Sequence, residues 1–279
     1  MDFSRIIDDI AANAEKNIQR SEEDYIKDGL LYCHKCNTPK QVEIELFGQI
    51  RKPYCLCQCE IERREKEEIE RKKRELEIRI KDLRRMGFPD SEMSSWRFEA
   101  DDRTNEKLSS VARKYVDHFD EMNEKGKGLL FFGTVGTGKT FMAACIANAL
   151  IDKGHPCLVT NFARLTNTIS GMFEGKQEYI DGLDRFDLLV IDDLASERDT
   201  EYMNEIVMNI IDARYRSGKP LIITTNLTGT ELKNPADVKK QRIYSRLFEM
   251  CIPFEVKGAD RRQTKLKNDY DELSDILGL

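Results

Sequence analysis

The sequence predicts an α/β domain with a parallel sheet flanked by helices, and two observations lead to this fold class. Short apolar runs alternate with longer segments of helical periodicity, and a glycine-rich loop stands between the first run and the helix after it. Uninterrupted apolar strands that alternate with helices are typical of a parallel sheet covered on both faces. The predicted strands are 129–132, 157–160, 188–191 and 221–224, and the predicted helices between them are 139–153, 162–173 and 199–216.

Two further parts precede this domain. Residues 1–60 combine an amphipathic helix, over 3–19, with a cysteine-rich module in which 41–47 alternate as in a strand of a small β-ribbon. Residues 61–90 form a charged connector helix, and 91–279 form the α/β domain. In the connector, acids stand four residues before bases, as in Glu68–Lys72 and Glu70–Arg74, which favours a solvated helix. A coiled coil or a nucleic-acid-contacting helix stays open as the alternative.

Composition excludes some classes of protein. The chain of 279 residues carries a net charge of −6, which argues against a protein that coats nucleic acid by bulk charge. No apolar run approaches the roughly 20 residues that span a bilayer, and the amino terminus lacks the pattern of a signal peptide. We therefore expect no membrane association, a cytoplasmic location and reduced cysteines.

The glycine-rich loop matches the pattern G-x-x-x-x-G-K-[ST], between a buried strand and a helix, as that motif requires. Its backbone N–H groups and the helix amino terminus suit the phosphates of ATP. Lys139 is expected to reach the β- and γ-phosphates, and Thr140 to ligate Mg²⁺. The predicted nucleotide-binding residues are Gly133, Thr134, Val135, Gly136, Thr137, Gly138, Lys139 and Thr140.

Polar residues follow the last two predicted strands, 188–191 and 221–224. Asp192 is expected to hold Mg²⁺, and Asp193 to activate water, because two adjacent acids divide such roles by environment. Glu197 is a reserve candidate for polarising water, or else an acid favoured at a helix amino terminus. Asn226 is expected to orient the attacking water or the γ-phosphate, with a turn-forming asparagine as the alternative.

The cysteine-rich module predicts a structural zinc site. Cys33 and Cys36 form one close pair, and an 18-residue gap leads to Cys55, Cys57 and Cys59. Two thiolate pairs at this spacing suit tetrahedral Zn²⁺. The spacing does not choose the second pair; we take Cys57 and Cys59, with Cys55 possible in place of one. Such a small module has little core, so the metal would supply its folding energy.

These motifs in this order resemble the AAA+ ATPases, and more narrowly the helicase-loader branch of bacteria and their phages, the DnaC, DnaI and IstB-like proteins. The resemblance covers roughly residues 90–265. It is carried by the loop with its preceding strand, by Ile191-Asp192-Asp193-Leu194-x-x-Glu197-Arg198, by Thr224-Thr225-Asn226-Leu227, and by Arg242-Ile243-Tyr244-Ser245-Arg246-Leu247.

The resemblance implies an ATP-dependent replication protein that loads a replicative helicase onto single-stranded DNA and assembles as a homo-oligomer when ATP is bound. It places Asn226 at the sensor 1 position and makes Arg246 the arginine finger for a neighbouring subunit, with Arg242 as the alternative. Arg261 and Arg262 match the sensor 2 position only loosely. Because the sequence ends soon after them, a separate helical lid is expected to be absent or reduced.

Two other functions remain open. A transposition helper ATPase of the IstB type shares the motifs, although the zinc module is less expected there. A nucleotide-gated adaptor with little turnover is the third hypothesis, because Asp193 stands where a longer glutamate is commoner. A GTPase is disfavoured, since the sequence has no Asn-Lys-x-Asp segment.

Overall fold

The computed structural model describes residues 21–46, 48–89, 92–195, 200–235, 237–263, 270, 274, 276 and 277. The predicted helix over 3–19 and the candidate Glu197 lie outside these residues. By its contacts the chain divides into two compact units, Met1–Glu77 and Ile78–Leu279. The domain limits expected from the sequence, 60/61 and 90/91, stay a prediction. Among the described helices, none is long and apolar enough to span a membrane.

The first unit contains two small antiparallel hairpins. Tyr25 is paired with Tyr32 in one, and Ile44 with Arg51 in the other. The second hairpin includes the part 44–46 of the strand predicted over 41–47, whereas the first was not predicted. In the described part of this unit the buried apolar side chains are Leu31, Cys33 and Cys57. The strands are β1 (Tyr25–Lys27), β2 (Leu30–Tyr32), β3 (Ile44–Leu46) and β4 (Gln49–Arg51).

The charge run is helical, as predicted, in α1 (Gln58–Gly87), and the boundary between the two units falls inside this helix. Two predicted ion pairs form, Glu68–Lys72 at 3.5 Å and Glu70–Arg74 at 3.6 Å. Arg71 also turns back to Glu68, at 2.6 Å. Because water and salt screen such exposed pairs, they support the helix weakly and jointly.

The second unit is built on a five-stranded parallel sheet. Its strands are β5 (Gly128–Phe132), β6 (Cys157–Asn161), β7 (Leu188–Leu194), β8 (Leu221–Thr225) and β9 (Cys251–Glu255). They lie in the order β6-β7-β8-β5-β9. The described helices are α2 (Glu106–Asp117), α3 (Phe119–Glu124), α4 (Lys139–Asp152), α5 (Phe162–Ser170), α6 (Lys176–Asp181), α7 (Glu201–Ser217), α8 (Gly229–Lys233) and α9 (Val238–Met250).

Apolar side chains cover both faces of this sheet. On one face Leu129 and Phe131 of β5 pack with α2 and α4, in what we call the α4-side cluster. On the other face Leu130 packs with α5, α7 and α9, in the α7-side cluster. This alternation within β5 explains why its sequence is apolar at every position. The predicted α/β architecture is therefore confirmed. The edge strand β9 was missed, and the helix predicted over 162–173 ends at Ser170.

Candidate functional site

A cleft of about 510 Å³ lies at the carboxyl ends of β5, β7 and β8. Ligands of open α/β sheets bind at this edge, where the strands end and helix amino termini begin. The cleft is lined by Met93, Trp96, Val135, Gly136, Thr137, Gly138, Lys139, Thr140, Phe141, Asp192, Asp193, Thr224, Asn226, Arg261 and Arg262. The structure thus brings residues 135–140 of the loop, both acids and Asn226 together around one cleft.

The loop has a backbone that requires glycine. Gly133 has φ 127° and Gly136 has φ 74°, in the region that favours glycine. A Cβ at Gly136 would lie 1.8 Å from Oδ1 of Asp260, and one at Gly133 would lie 2.5 Å from the carbonyl oxygen of Val256. Any larger residue would push the loop away from its neighbours. The loop is therefore held in a shape suited to bind phosphate oxygens through its N–H groups.

Lys139 begins α4 directly after the loop, and its side chain folds back over it. The ammonium Nζ donates to the carbonyl oxygens of Gly133, at 2.9 Å, and Thr134, at 2.6 Å. Lys139 is buried, and burial lowers the pKa of its ammonium because the charged form is desolvated. Asp192 and Asp193 oppose that shift. A phosphate group would add negative charge next to this buried cation and oppose the effect of burial further.

Asp192 receives hydrogen bonds from two hydroxyl groups. Thr140 donates to its Oδ1 at 2.8 Å, and Thr224 donates to the same oxygen. Burial raises the pKa of Asp192, although both hydrogen bonds pull it down. Mg²⁺ prefers hard oxygen ligands and is held by one or two carboxylates together with phosphates. The hydroxyl of Thr140 and the carboxylate of Asp192 therefore fit the predicted magnesium site.

Asp193 and Asn226 meet beside the magnesium candidates. The Asn226 amide donates to Oδ1 of Asp193 at 3.0 Å. Asp193 has φ 59°, which is uncommon for a residue other than glycine and is tolerated by aspartate. This hydrogen bond orients the carboxylate of Asp193, the predicted water-activating group. Its donor, Asn226, is the residue expected at the sensor 1 position.

In the first unit the four predicted zinc ligands Cys33, Cys36, Cys57 and Cys59 converge, with their sulfur atoms within 4.8 Å of one another. The Sγ atoms of Cys33 and Cys59 are 3.7 Å apart, and those of Cys57 and Cys59 are 3.4 Å apart. A tetrahedral zinc with Zn–S bonds of about 2.3 Å has sulfur–sulfur edges of about 3.8 Å. The donor set fits zinc, and Cys55, whose Sγ points to the carbonyl of Pro39 instead, is not in this group.

A buried ion pair lies next to the cysteine cluster. Lys40 Nζ donates to Asp24 Oδ2 at 2.6 Å, and the backbone N–H of His34 donates to Asp24 Oδ1 at 3.2 Å. Burial alone would raise the pKa of Asp24, but hydrogen bonds from Lys40, Ser21 and His34 hold it well below its usual range. The same pair raises the pKa of Lys40 against the effect of burial. Attraction to the nearby Cys33 and Cys57 thiol groups adds to the raised pKa of Lys40.

Comparison with known proteins decides the family. The model of the family described as IstB-like ATP binding protein matches residues 62–268, which is well over half of the chain. The chain belongs to the IstB-like ATP-binding protein family. The membership confirms the resemblance drawn from the motifs, and it makes the second unit an ATPase domain of the AAA+ type.

Two curated relatives are replicative helicase loaders. The chain is 25% identical over 179 residues to DnaI of Bacillus subtilis, covering 59% of this chain and 58% of the relative. It is 28% identical over 157 residues to DnaC of Escherichia coli K12, covering 55% of this chain and 61% of the relative. The chain thus spans about three fifths of the length of these relatives.

Solved structures of the same branch share the fold. A crystal structure of DnaI superposes with a TM-score of 0.53 at 24% identity, covering 64% of this chain and 98% of the other. A crystal structure of the DnaC helicase loader superposes with a TM-score of 0.50 at 25% identity, covering 60% and 99%. The similarity supports the α/β fold of the IstB-like unit.

The two candidate arginine fingers of this IstB-like chain, Arg246 and Arg242, both lie on α9. Arg246, the predicted finger, lies on α9, where its Nε is 2.7 Å from Oδ1 of Asp212 and its guanidinium lies 4.9 Å from the ring centre of Tyr215. Arg242 lines a groove beside α7. Neither lines the described part of the cleft in its own chain, which is compatible with action on a neighbouring subunit.

One wall of the cleft was not predicted from the sequence. Met93 and Trp96 line it, and the ring of Trp96 lies 5.7 Å from that of Phe141. Arg261, which matches the sensor 2 position only loosely, donates its backbone N–H to the Gly136 carbonyl at 3.0 Å. Its guanidinium is 3.2 Å from Asp102. Trp96, the one tryptophan of the sequence, stands in an irregular segment and carried no periodic signal.

Proposed function

We propose that this protein is an ATP-dependent loader of a replicative helicase onto single-stranded DNA. The observation that carries the proposal is the cleft of an IstB-like chain in which Lys139, Asp192 and Asp193 converge beside the phosphate-binding loop. The names of the relatives, helicase loaders both, support the partner. The activity and partners of the whole protein are part of this proposal.

At the ATP site each residue has a distinct part. The loop N–H groups and Lys139 bind phosphate oxygens, and Thr140 with Asp192 holds Mg²⁺, which neutralises phosphate charge when bound. Asp193 accepts the proton of the attacking water, in an orientation that the hydrogen bond from Asn226 sets. Because Asp193 is shorter than glutamate, we expect slow hydrolysis suited to a switch.

Arg246 is proposed to complete the site of a neighbouring subunit in an ATP-bound homo-oligomer. A guanidinium is always charged and suits the charge on a transferring phosphoryl group. Its ion pair with Asp212 holds it until a neighbour presents ATP. Arg242 is the alternative finger.

A mixing experiment tests this assignment. Arg246→Ala protomers keep the ATP cleft, and Lys139→Ala protomers keep the finger, so mixing two inactive preparations should restore ATPase activity at hybrid interfaces. Arg242→Ala mixed in the same way is the matched control. If only the Arg242 variant is inactive and complemented, that residue is the finger; if neither arginine matters, the shared site is wrong.

The first unit is proposed to recruit the helicase. Its hairpins expose apolar side chains, with Ile26 76% and Ile50 67% exposed. Two basic residues of this unit are paired with acids: Lys40 is buried against Asp24, and Lys52 lies 3.4 Å from Glu43. A protein partner is therefore favoured for this surface, with single-stranded DNA left to the ATPase oligomer.

The test is capture of the host replicative helicase by the full chain, with and without ATP. Ile50→Glu is expected to weaken capture, whereas Ile69→Glu, equally exposed on α1, should leave it unchanged. Capture of a transposase without helicase would instead favour the transposition helper. Nucleotide-controlled capture with ATP turnover that is undetectable in both the natural chain and Asp193→Asn would favour the adaptor.

A further inference from the structure

Strand β7 contains a bulge at the two acids. Along β7 and β8, Ile191 pairs with Ile223 and Leu194 pairs with Thr225, so Asp192 and Asp193 stand opposite a single residue, Thr224. Bulges are rare in parallel pairs and often lie beside active sites, where they redirect a side chain.

The packing of β7 shows what the bulge changes. Val190 packs in the α4-side cluster and Ile191 in the α7-side cluster. Regular alternation would send Asp192 to the α4 side, Asp193 to the α7 side and Leu194 to the α4 side. Leu194 packs in the α7-side cluster instead, so alternation has shifted by one residue. Asp193 thereby lines the same cleft as Asp192.

The side chain of Thr224 occupies the centre of this bulge. Its hydroxyl donates to Oδ1 of Asp192 and accepts the backbone N–H of Asp193 at 2.9 Å. The latter bond gives a partner to an N–H in the part of β7 where regular pairing is interrupted. Thr224 is 2% exposed, so water is a poor substitute for this hydroxyl. Thr225 supports the far end of the bulge by donating to the Leu194 carbonyl at 2.8 Å.

We propose that Thr224 is a positioning residue for the ATPase reaction. Through one hydroxyl it fixes the carboxylate of Asp192, the metal candidate, and the backbone of Asp193, the water-activating candidate. Thr140 shares Oδ1 of Asp192 with it, but Thr140 is itself proposed to ligate Mg²⁺. Thr224 is then the hydroxyl that holds Asp192 in place with or without the metal. This inference rests on the proposed Mg²⁺–ATP site.

The substitution Thr224→Val separates the effect of the hydroxyl group from that of the side-chain shape. Thr224→Val keeps the branched side chain but leaves the Asp193 N–H and one oxygen of Asp192 without this partner. Thr224→Ser keeps the hydroxyl. Thr160→Val on strand β6 of the same sheet, at a position that is also buried, measures the generic cost of removing a threonine hydroxyl from this sheet.

The experiment measures ADP affinity by calorimetry with and without Mg²⁺, and kcat and KM for ATP, on the full chain. For Thr224→Val we expect metal-free ADP affinity within twofold of the natural chain. Its Mg²⁺-dependent tightening and its kcat should each fall roughly tenfold, the size of one lost hydrogen bond to a charged group. Thr224→Ser and Thr160→Val should retain both.

The outcomes are distinguishable. A folded Thr224→Val that keeps Mg²⁺-dependent tightening and kcat within twofold overturns the inference and leaves the ATP site intact. If Thr224→Val does not fold, Thr224→Ser decides, since loss of the tightening despite the hydroxyl also overturns the inference. If the natural chain shows no Mg²⁺-dependent affinity, the proposed ATP site itself fails.

Discussion

The cysteine cluster and the ATP cleft both assemble polar groups around a predicted cation, but they rest on different amounts of apolar core. Around the cysteines the buried apolar side chains of the described unit are Leu31, Cys33 and Cys57, two of which are predicted ligands. The cleft stands on a sheet whose two faces are covered by the α4-side and α7-side clusters. The first unit is thus expected to need its metal to fold, whereas the second is expected to fold first and bind its metal afterwards.

The largest expected effect follows removal of zinc. A chelator, or Cys33→Ser, should unfold residues 21–59, because binding of a structural zinc contributes about 10 kcal/mol or more to folding. Metal analysis and limited proteolysis of the full chain measure this, with nucleotide affinity expected to persist. Cys55→Ser is the control and should keep its zinc. A chain without zinc that resists proteolysis over 21–59 would contradict the comparison.

The second prediction concerns Arg214, a charged side chain buried in the core of the ATPase unit. Arg214 is 1% exposed and donates to the carbonyls of Phe186, Asp187 and Pro220. Burial lowers the pKa of its guanidinium to about 10. Arg214→Met should reduce the free energy of unfolding by about 3 kcal/mol or more, because it removes these hydrogen bonds from a buried site.

Urea unfolding measures the loss. Arg216→Met, exposed on the same helix, should change the free energy of unfolding by less than about 0.5 kcal/mol. Equal effects of the two variants would show that the guanidinium of Arg214 does not organise this part of the core.

The third prediction is that the carboxylate of Asp192 lowers the stability of the metal-free protein, although it is needed to bind the metal. The pKa of Asp192 is higher in the folded protein than the value of about 3.9 in the unfolded chain. Protonation of this carboxyl therefore stabilises the folded state at low pH, and that stabilisation is lost as the pH rises through the folded-state pKa. At pH 7 the buried charge is therefore unfavourable without metal, since burial raises the pKa of Asp192. Asp192→Asn should raise the Tm of metal-free protein at pH 7, with the gain shrinking toward pH 4.

Thermal unfolding across this pH range checks the sign. The same variant should lose the rise in Tm that Mg²⁺ with ADP gives the natural chain. Glu174→Gln, an exposed acid, serves as control. A lower Tm for metal-free Asp192→Asn at pH 7 would mean that the carboxylate stabilises the fold before any metal binds.

The smallest effect is expected in the exposed middle of α1, which lies outside both sites. Glu70→Ala removes the 3.6 Å pair with Arg74 and should change the free energy of unfolding by less than about 0.5 kcal/mol. Glu65→Ala, also exposed, corrects for helix propensity. The difference between the two, followed by circular dichroism, should vanish in high salt.

Sequence patterns predicted much of the fold and of the candidate site, and the physical reason differs from one element to the next. The buried strands were predicted because both faces of the sheet are covered, which leaves unbroken apolar runs. The loop was predicted because its glycines and Lys139 are local in sequence. β9 was missed because its Pro253 and exposed Ile252 hide an edge strand. The short β1 and β2 were missed because three residues carry no measurable periodicity.

The sequence by itself determined the fold class of the ATPase unit, the phosphate loop, the pair of acids and the presence of a thiolate cluster, because each is encoded in neighbouring residues. Only the tertiary structure separated Cys55 from the other four cysteines, since that choice depends on where two distant segments meet. Only the structure brought Trp96 and Arg261 to the cleft, and only it showed that Asp193 reaches the cleft through a bulge centred on Thr224. Pairing between strands is long-range, so no local pattern contains it.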